Sequence, residues 1–162
     1  MDILVGKRMM VIRYTPFKKF DFIDEHTKLI AQQQSVWMLK IGRKIPEIAI
    51  TKIIDEGGNV VLKAPKSAGG NFYLAHCCAS HQGRPSNDMV FPEYYLSIDG
   101  DFDQNPLDGT WLKIDRLESM SEHYSDSLYL CSNGKKLNDV ISTTRTSVLY
   151  VYYSESEQNR NR

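Results

Sequence analysis

Short apolar runs with a period of two dominate the hydrophobic pattern of the chain, and polar, glycine-rich turns separate them. Alternation of this kind predicts half-buried strands, and the spacing between turns indicates about seven or eight of them. These strands are expected among nine candidate segments, which are Met9–Tyr14, Val36–Ile41, Ile48–Ile54, Val60–Lys63, Asn71–Ala79, Tyr94–Ile98, Trp111–Ile114, Leu128–Cys131 and Thr146–Tyr153. Gly57-Gly58 is a turn signal, so Ile48–Lys63 is interpreted as a hairpin.

One segment has the period of a helix instead. Apolar residues between Asp21 and Gln34 recur at i, i+1, i+4, i+7 and i+8, which is typical of an amphipathic helix, and Asp21 is a suitable N-cap. Shorter helices are predicted at Asp115–Ser121 and Leu137–Ser142. Many short strands with one substantial helix favour an α+β fold, a small bent sheet or open β-barrel with helices over its ends.

The composition fits one soluble domain. The chain has 162 residues, of which 41% are hydrophobic and 25% charged, enough to bury a core. We expect a single domain over residues 1–154 and a disordered tail over 155–162. Its 20 basic and 20 acidic residues cancel. The basic ones are concentrated towards the N-terminus and the acidic ones in residues 93–126, so a polyanion should meet the N-terminal third.

Cysteine use and hydropathy indicate the compartment. Cys77 and Cys78 are adjacent, so in a strand they point to opposite faces and are poor disulfide partners. The third cysteine, Cys131, is left over. Free thiols are typical of a reducing compartment. No apolar segment resembles a signal peptide or a membrane span. We therefore expect a cytoplasmic protein, or a nuclear one if it is eukaryotic, with no membrane contact.

An aromatic strand that leads into a basic turn is the most suggestive chemistry. Trp37 lies in Val36–Ile41, and a turn with Lys40, Gly42, Arg43 and Lys44 follows. An aromatic ring beside cations suits a flat anionic ligand such as a nucleotide. Strand alternation places Trp37 and Lys40 on opposite faces unless the strand bends at Gly42.

Further candidates extend this pattern. Trp111 and Lys113 share one strand face, and Tyr94-Tyr95 follows a loop. The segment Ser142–Ser147, with Arg145, is rich in hydroxyls that suit a phosphate. Each candidate also has a structural interpretation: the tryptophans as core anchors, the cations as a solvated face, and the hydroxyls as turn and cap residues.

Catalytic and metal motifs are weak. His76, Cys77, Cys78 and His81 contain a thiol and a base, but no spacing that orients them as a nucleophile or a zinc site. Asp99–Asp103 resembles a calcium loop but lacks its glycine and glutamate positions. No phosphate-binding glycine loop is present. We name no catalytic residue, metal ligand or cofactor, and we favour a protein that is not an enzyme.

The order of elements resembles the PUA-like superfamily, nearest to its EVE-type and YTH-type readers of modified bases. The segments that carry the resemblance are Val36–Gly42, Gly70–Ala75, Phe91–Ile98 and Trp111–Ile114, about half of the chain. The resemblance implies a barrel with an aromatic pocket for a flipped, often methylated base. It would place the cage aromatics at Trp37, Tyr73 or Trp111.

The predicted function is therefore a non-enzymatic nucleic-acid-binding module that reads a base, plain or modified, in an aromatic pocket. The base-binding candidates are Trp37, Tyr73, Trp111, Tyr94 and Tyr95. The phosphate-binding candidates are Lys40, Arg43, Lys44, Lys113 and Arg145. The alternative is a protein-interaction or adaptor domain that uses the acidic 93–126 face. A small cysteine-dependent or metal-dependent enzyme is a third, weaker possibility.

Overall fold

The computed structural model describes residues 5–16, 19–98, 107–144 and 146–155. They form an α+β fold with a seven-stranded open sheet and five short helices, which confirms the predicted class. The strands are β1 (Arg8–Arg13), β2 (Val36–Lys40), β3 (Asn59–Lys63), β4 (Phe72–Gly83), β5 (Gly109–Ser119), β6 (Leu128–Leu130) and β7 (Val148–Tyr153). The helices are α1 (Phe22–Gln33), α2 (Glu47–Asp55), α3 (Tyr94–Ile98), α4 (Glu122–Ser125) and α5 (Leu137–Val140).

The strand order across the sheet is β2-β5-β4-β3-β1-β7-β6. Among these pairs β1 and β3 run parallel, with Met10 opposite Val60 and Arg13 opposite Lys63. The other ladders are antiparallel. The carboxyl ends of β1 and β3 therefore lie side by side. In sheets with parallel strands, this edge is where ligands commonly bind.

Helix α1 forms where the sequence predicts it. The Asp21 carboxylate accepts a hydrogen bond from the Asp24 backbone N–H at 3.0 Å, and Gln34 ends the helix in the left-handed region. Phe22 and His26, four residues apart, are buried on one stripe. The amphipathic period and the cap residue were sufficient to predict this element.

Helix α2 corrects the predicted strand Ile48–Ile54 and its hairpin. The run is rich in β-branched residues, and a short apolar run of this kind does not distinguish a strand from a buried helix. Ile50 and Ile53 point together into the core, at the three-residue spacing of a helix face. At Gly58 (φ +74°) the chain turns, and a Cβ there would clash with the Cys77 carbonyl oxygen. Only glycine fits this close approach.

Two further segments exchange their predicted states. Tyr94–Ile98 is helix α3 rather than a strand, and both Tyr94 and Tyr95 are buried. A strand would expose one of two neighbours. Conversely, Asp115–Ser119 belongs to β5 rather than to a helix, because it pairs with the first half of β4. Tertiary pairing overrides the weak local preference there.

Both faces of the sheet are covered. Helices α1 and α2 pack on one face of the sheet, which we call the inner face. Its core includes Met10, Ile12, Met38, Ile50, Leu62 and Ile114. The outer face carries two separate clusters. One lies near α4 and α5 and includes Met9, Val11, Val61, Leu74, Leu137 and Val151. The other includes α3 residues and contains Leu39, Met89, Tyr94, Tyr95, Leu107 and Trp111.

The sheet is strongly bent. The Lys40 ammonium at the end of β2 donates to Ser147 Oγ at 3.3 Å, directly before β7 begins. These strands are first and sixth in the sheet order, and strands lie about 4.8 Å apart in a flat sheet. Curvature must therefore bring the two ends together. No helix of the described residues is long and apolar enough to cross a membrane. Residues 156–162 of the predicted tail lie outside the described ranges.

Candidate nucleic-acid interface

Trp111 is part of the core. It is fully buried in β5, and its indole N–H donates to the carbonyl oxygens of Gly83 (3.1 Å) and Leu107 (3.0 Å). Phe91 and Tyr95 pack against its ring, with centroids 5.1 and 5.7 Å away. Neither ring face is left for a ligand, so the structure corrects the expectation that Trp111 and Lys113 present a stacking surface together.

Tyr95 is also a buried core residue with its hydroxyl hydrogen-bonded inside the protein. Its hydroxyl lies 2.5 Å from His26 Nε2 and accepts the Leu39 N–H at 3.4 Å, which covers the free edge of β2. His26 Nδ1 lies 2.6 Å from the Phe22 carbonyl oxygen and so carries the proton, which makes Nε2 the acceptor from Tyr95. Burial lowers the pKa of His26 to about 4 and raises that of Tyr95 well above its ordinary value.

Tyr94 also falls outside a ligand pocket. It is buried, and its ring stacks on Phe20 with centroids 4.7 Å apart. Burial, the largest cause, raises the pKa of its phenol. The loop before α3 also contacts the edge strand β2, because the Val90 carbonyl accepts a hydrogen bond from the Trp37 backbone N–H at 2.8 Å. The loop and α3 therefore protect the edge of the sheet rather than open a site.

Trp37 is the predicted base-binding residue that keeps access to solvent on the outer face. It is half-buried, and its direct partner in the antiparallel register is Lys113 on β5. The His81 ring lies edge-on at 6.4 Å between centroids. The aromatic residue and the cation that face each other across neighbouring strands are thus Trp37 and Lys113 rather than Trp111 and Lys113.

Tyr73 lies on the opposite face of the sheet from Trp37. It is half-buried, is paired with Leu62, and packs against the inner core with α1 and α2. Trp37 packs against the outer cluster around Trp111. Because the sheet separates the two rings, Trp37 and Tyr73 do not belong to one cage.

The predicted cations of the β2 turn divide into three cases. Lys40 is 4% exposed and donates to the Arg43 carbonyl at 2.7 Å, and burial followed by the Arg43 charge lowers its pKa. Lys44 pairs with Asp108 at 2.8 Å. Arg43 is exposed and, among the described residues, has no carboxylate partner. Arg145 lies outside the described residues.

A cavity of about 270 Å³ opens beside this turn, and we call it the Arg43 cavity. Lys44 and Pro46 line one side and the start of β7 the other. Its hydroxyl groups come from Thr146, Ser147 and Tyr150. The cavity joins the basic turn to the hydroxyl-rich segment Ser142–Ser147, two features that the sequence analysis had considered separately.

A second cavity, of about 300 Å³, lies at the carboxyl ends of the parallel strands β1 and β3. We call it the Arg13 cavity. Its polar lining comes from Arg13, Tyr14, Lys63, Lys66 and Ser142. Arg13 and Lys63 are register partners, and the short turn after β3 adds Lys66. Three cations thus converge from two strand ends and one loop.

The charges of the Arg13 cavity have no acidic partner among the described residues. The Arg13 guanidinium donates to the Ile141 carbonyl, and the Lys63 ammonium donates to the Gly70 carbonyl and lies 4.4 Å from the Phe72 ring centre. Within the described part of the chain, none of Arg13, Lys63 and Lys66 pairs with a carboxylate. Burial lowers the pKa of Lys63, and the like charges of Arg13 and Lys66 lower it further.

Tyr14 closes the inner side of the Arg13 cavity. Its ring stacks on Phe22 at 4.2 Å between centroids, nearly parallel. Burial raises the pKa of Tyr14 to about 12, with smaller contributions from Tyr73 and the Asp21 carboxylate. Tyr14 therefore stays a neutral hydroxyl at physiological pH and acts as a hydrogen-bond donor or acceptor beside the cations.

Lys63 and Lys66 were not predicted as site residues from the sequence, although Arg13 belongs to the N-terminal basic region. A signal was present, because Arg13 ends β1 and Lys63 ends β3. Their meeting depends on β1 and β3 being parallel neighbours. The predicted Ile48–Lys63 hairpin paired Val60–Lys63 with Ile48–Ile54 instead of with β1. The sequence therefore did not predict that Arg13 and Lys63 would lie side by side.

The thiols and histidines show no activated nucleophile. Burial raises the pKa of Cys77 to about 12, and burial followed by Asp115 raises that of Cys78. His76 Nδ1 lies 2.7 Å from the Asp115 carboxylate. A thiolate would need a lowered pKa. Across the described ranges, no three His, Cys, Asp or Glu side chains are grouped to hold a metal ion. Asp99–Asp103 lies outside those ranges.

Comparison of the chain with protein-family models, with curated proteins and with solved structures found no significant match. The geometry of the chain therefore carries the functional inference alone.

Proposed function

We propose that this protein is a non-enzymatic nucleic-acid-binding module that holds phosphate groups in the Arg13 cavity. The observation that carries the proposal is the convergence of Arg13, Lys63 and Lys66 without a carboxylate partner among the described residues. Phosphate oxygens accept hydrogen bonds from guanidinium and ammonium donors. Burial is the main cause of the lowered pKa of Lys63, and an anion would offset the second cause, the repulsion from Arg13 and Lys66.

The base-reading part of the proposal rests on Trp37. Its half-buried ring stands beside Lys113 on an accessible strip of the outer face, and an aromatic ring stacks on any base with about 1–3 kcal/mol per base. We propose Trp37 as the base-stacking residue of a PUA-like reader. The buried positions of Trp111, Tyr94 and Tyr95 support a structural role for those three rings.

We propose that the protein acts in a reducing compartment, the cytoplasm or the nucleus. The thiols of Cys77, Cys78 and Cys131 are free, which suits a protein that acts where nucleic acids and reduced thiols occur together.

The test is a titration of fluorescently labelled single-stranded and double-stranded oligonucleotides at two salt concentrations, followed by anisotropy. Lys63→Met keeps the side-chain stem over Phe72 but removes the charge. We expect it to weaken binding about tenfold and to reduce the slope of log affinity against log salt by about one. The matched control is Lys135→Ala, since Lys135 is exposed and lines neither cavity.

Trp37→Ala separates base stacking from phosphate binding. We expect it to remove any preference between plain and methylated bases and to leave the salt slope unchanged. Absence of binding at low salt by the wild-type protein would overturn the nucleic-acid proposal. Binding to a basic protein in the same assay would then favour the adaptor alternative through the acidic 93–126 face.

A further inference from the structure

The Arg13 and Arg43 cavities lie at the two ends of one chain segment. Ser142 lines the Arg13 cavity, and Thr146 and Ser147 line the Arg43 cavity. Five residue steps join Ser142 to Ser147, so the chain between them spans at most about 17 Å. The cavities are therefore near neighbours on the surface.

Strand pairing independently brings the two cavities together. Ile12 of β1 pairs with Val148, the first residue of β7. Arg13, the next residue of β1, lines one cavity, and Ser147, the residue before β7, lines the other. The sheet itself therefore fixes the separation of the cavities, because these two positions lie opposite each other, one residue beyond the Ile12–Val148 pair at the end of the β1–β7 ladder.

The surface between the cavities carries hydrogen-bonding groups. Ser142, Thr143, Thr146 and Ser147 are exposed. Hydroxyl groups of this kind donate to phosphate oxygens. The Ser147 hydroxyl accepts from the Lys40 ammonium and keeps its proton for a phosphate, whereas the Thr143 hydroxyl already donates to the Val140 carbonyl at 3.1 Å. The cations at both ends and the hydroxyl groups between them form a strip of hydrogen-bond donors that suit phosphate oxygens.

We propose that this strip, from Lys63 and Arg13 past the described residues Ser142, Thr146 and Ser147 to Arg43, is a track for the backbone of a single nucleic-acid strand. The inference rests on the proposed function and defines its ligand. The track is at most about 17 Å long and stacked nucleotides rise about 3.4 Å each, so it holds at most about five nucleotides of a stacked single strand, within the range known for single-strand-binding sites. A mononucleotide would fill the Arg13 cavity alone, and the rigid rod of a duplex would not follow the curved sheet edge.

The two cavities contribute unequally. Three cations, Arg13, Lys63 and Lys66, line the Arg13 cavity, and burial, followed by the charges of Arg13 and Lys66, lowers the pKa of Lys63. At the Arg43 cavity, Asp108 neutralises Lys44 and Lys40 is held by Ser147 and the Arg43 carbonyl. Arg43 is therefore the cation there that is available to a second phosphate, and the Arg13 cavity anchors the strand.

The experiment measures affinity against strand length. Thymidine monophosphate competes with a labelled oligothymidylate, and labelled oligothymidylates range from a dinucleotide to about twelve nucleotides. We expect wild-type affinity to rise with length until about five nucleotides and then to level. Arg43→Ala should weaken the binding of long strands about fivefold to tenfold and leave that of the mononucleotide unchanged. Lys66→Ala should weaken every probe.

Each outcome decides one proposal. Equal affinity for mononucleotide and long strands, both dependent on Lys66, would overturn the track and preserve phosphate binding in the Arg13 cavity. Failure of Lys66→Ala and Lys63→Met to change any affinity would overturn the proposed function itself. Arg43 and Lys66 are exposed, so their truncation should leave the melting temperature unchanged. Lys135→Ala is the control for a general loss of positive charge.

Discussion

The Trp111 cluster and the Arg13 cavity are both rich in side chains that suit a nucleotide, but they use them in opposite ways. In the Trp111 cluster, the indole N–H, the Tyr95 hydroxyl and His26 satisfy one another or nearby backbone groups. In the Arg13 cavity, the cations meet carbonyls and each other but no described carboxylate. Residue type alone does not make a site. A site needs groups whose interactions the fold leaves incomplete.

The largest expected effect tests the structural half of this comparison. Trp111→Ala should destabilise the protein by about 3–5 kcal/mol, because it leaves a cavity in a closely packed core. Urea unfolding at neutral pH measures this change, and Trp37→Ala provides the matched control. Since Trp37 is half-buried, its truncation should cost less than half as much. Similar losses for the two variants would contradict the contrast between a buried and an accessible tryptophan.

Acid titration tests the same cluster through His26. The pKa of His26 in the fold is about 4, below its ordinary value of 6.5. The unfolded chain therefore binds the proton more readily, and the stability from neutral His26 is fully present above pH 6.5. It should be lost as the pH falls through 4, by about 3 kcal/mol in total, at 1.36 kcal/mol per unit.

The midpoint of urea unfolding, measured from pH 7 to pH 4, checks this prediction. His26→Gln should be less stable at pH 7 but show a weaker pH dependence than the wild-type protein. His123 is exposed, so His123→Gln should keep the full dependence. A wild-type midpoint that does not change across this range would show that His26 is not held neutral by its burial.

The smallest effect tests the other half of the comparison, the incomplete interactions of the Arg13 cavity. Inorganic phosphate at a concentration a few times its dissociation constant should stabilise the fold by about 1 kcal/mol. Thermal melting at constant ionic strength measures the shift. It should disappear in Lys63→Met and persist in Tyr95→Phe, although the latter starts from a lower melting temperature because His26 Nε2 loses its donor. An equal shift in both variants would place the phosphate elsewhere.

The candidate site was predictable to very different degrees along the chain. Arg43 and the hydroxyl segment Ser142–Ser147 follow from composition and turn chemistry, and the structure brings Arg43, Thr146 and Ser147 to one cavity. Trp37 was correctly placed in a strand, but its cation partner is Lys113 across the sheet. Cross-strand neighbours depend on register, which a single strand sequence does not contain.

The sequence by itself determined the α+β class, the capped helix α1 and the strand positions of Trp37 and Trp111, because periodicity and caps act over a few residues. Only the tertiary structure decided that Ile48–Ile54 would form α2, since its apolar stripe needed a sheet face to cover. It also decided which tryptophan is buried and which cations lack carboxylate partners among the described residues. Those outcomes depend on pairing between distant segments, and the parallel β1–β3 contact that assembles the Arg13 cavity is the clearest case.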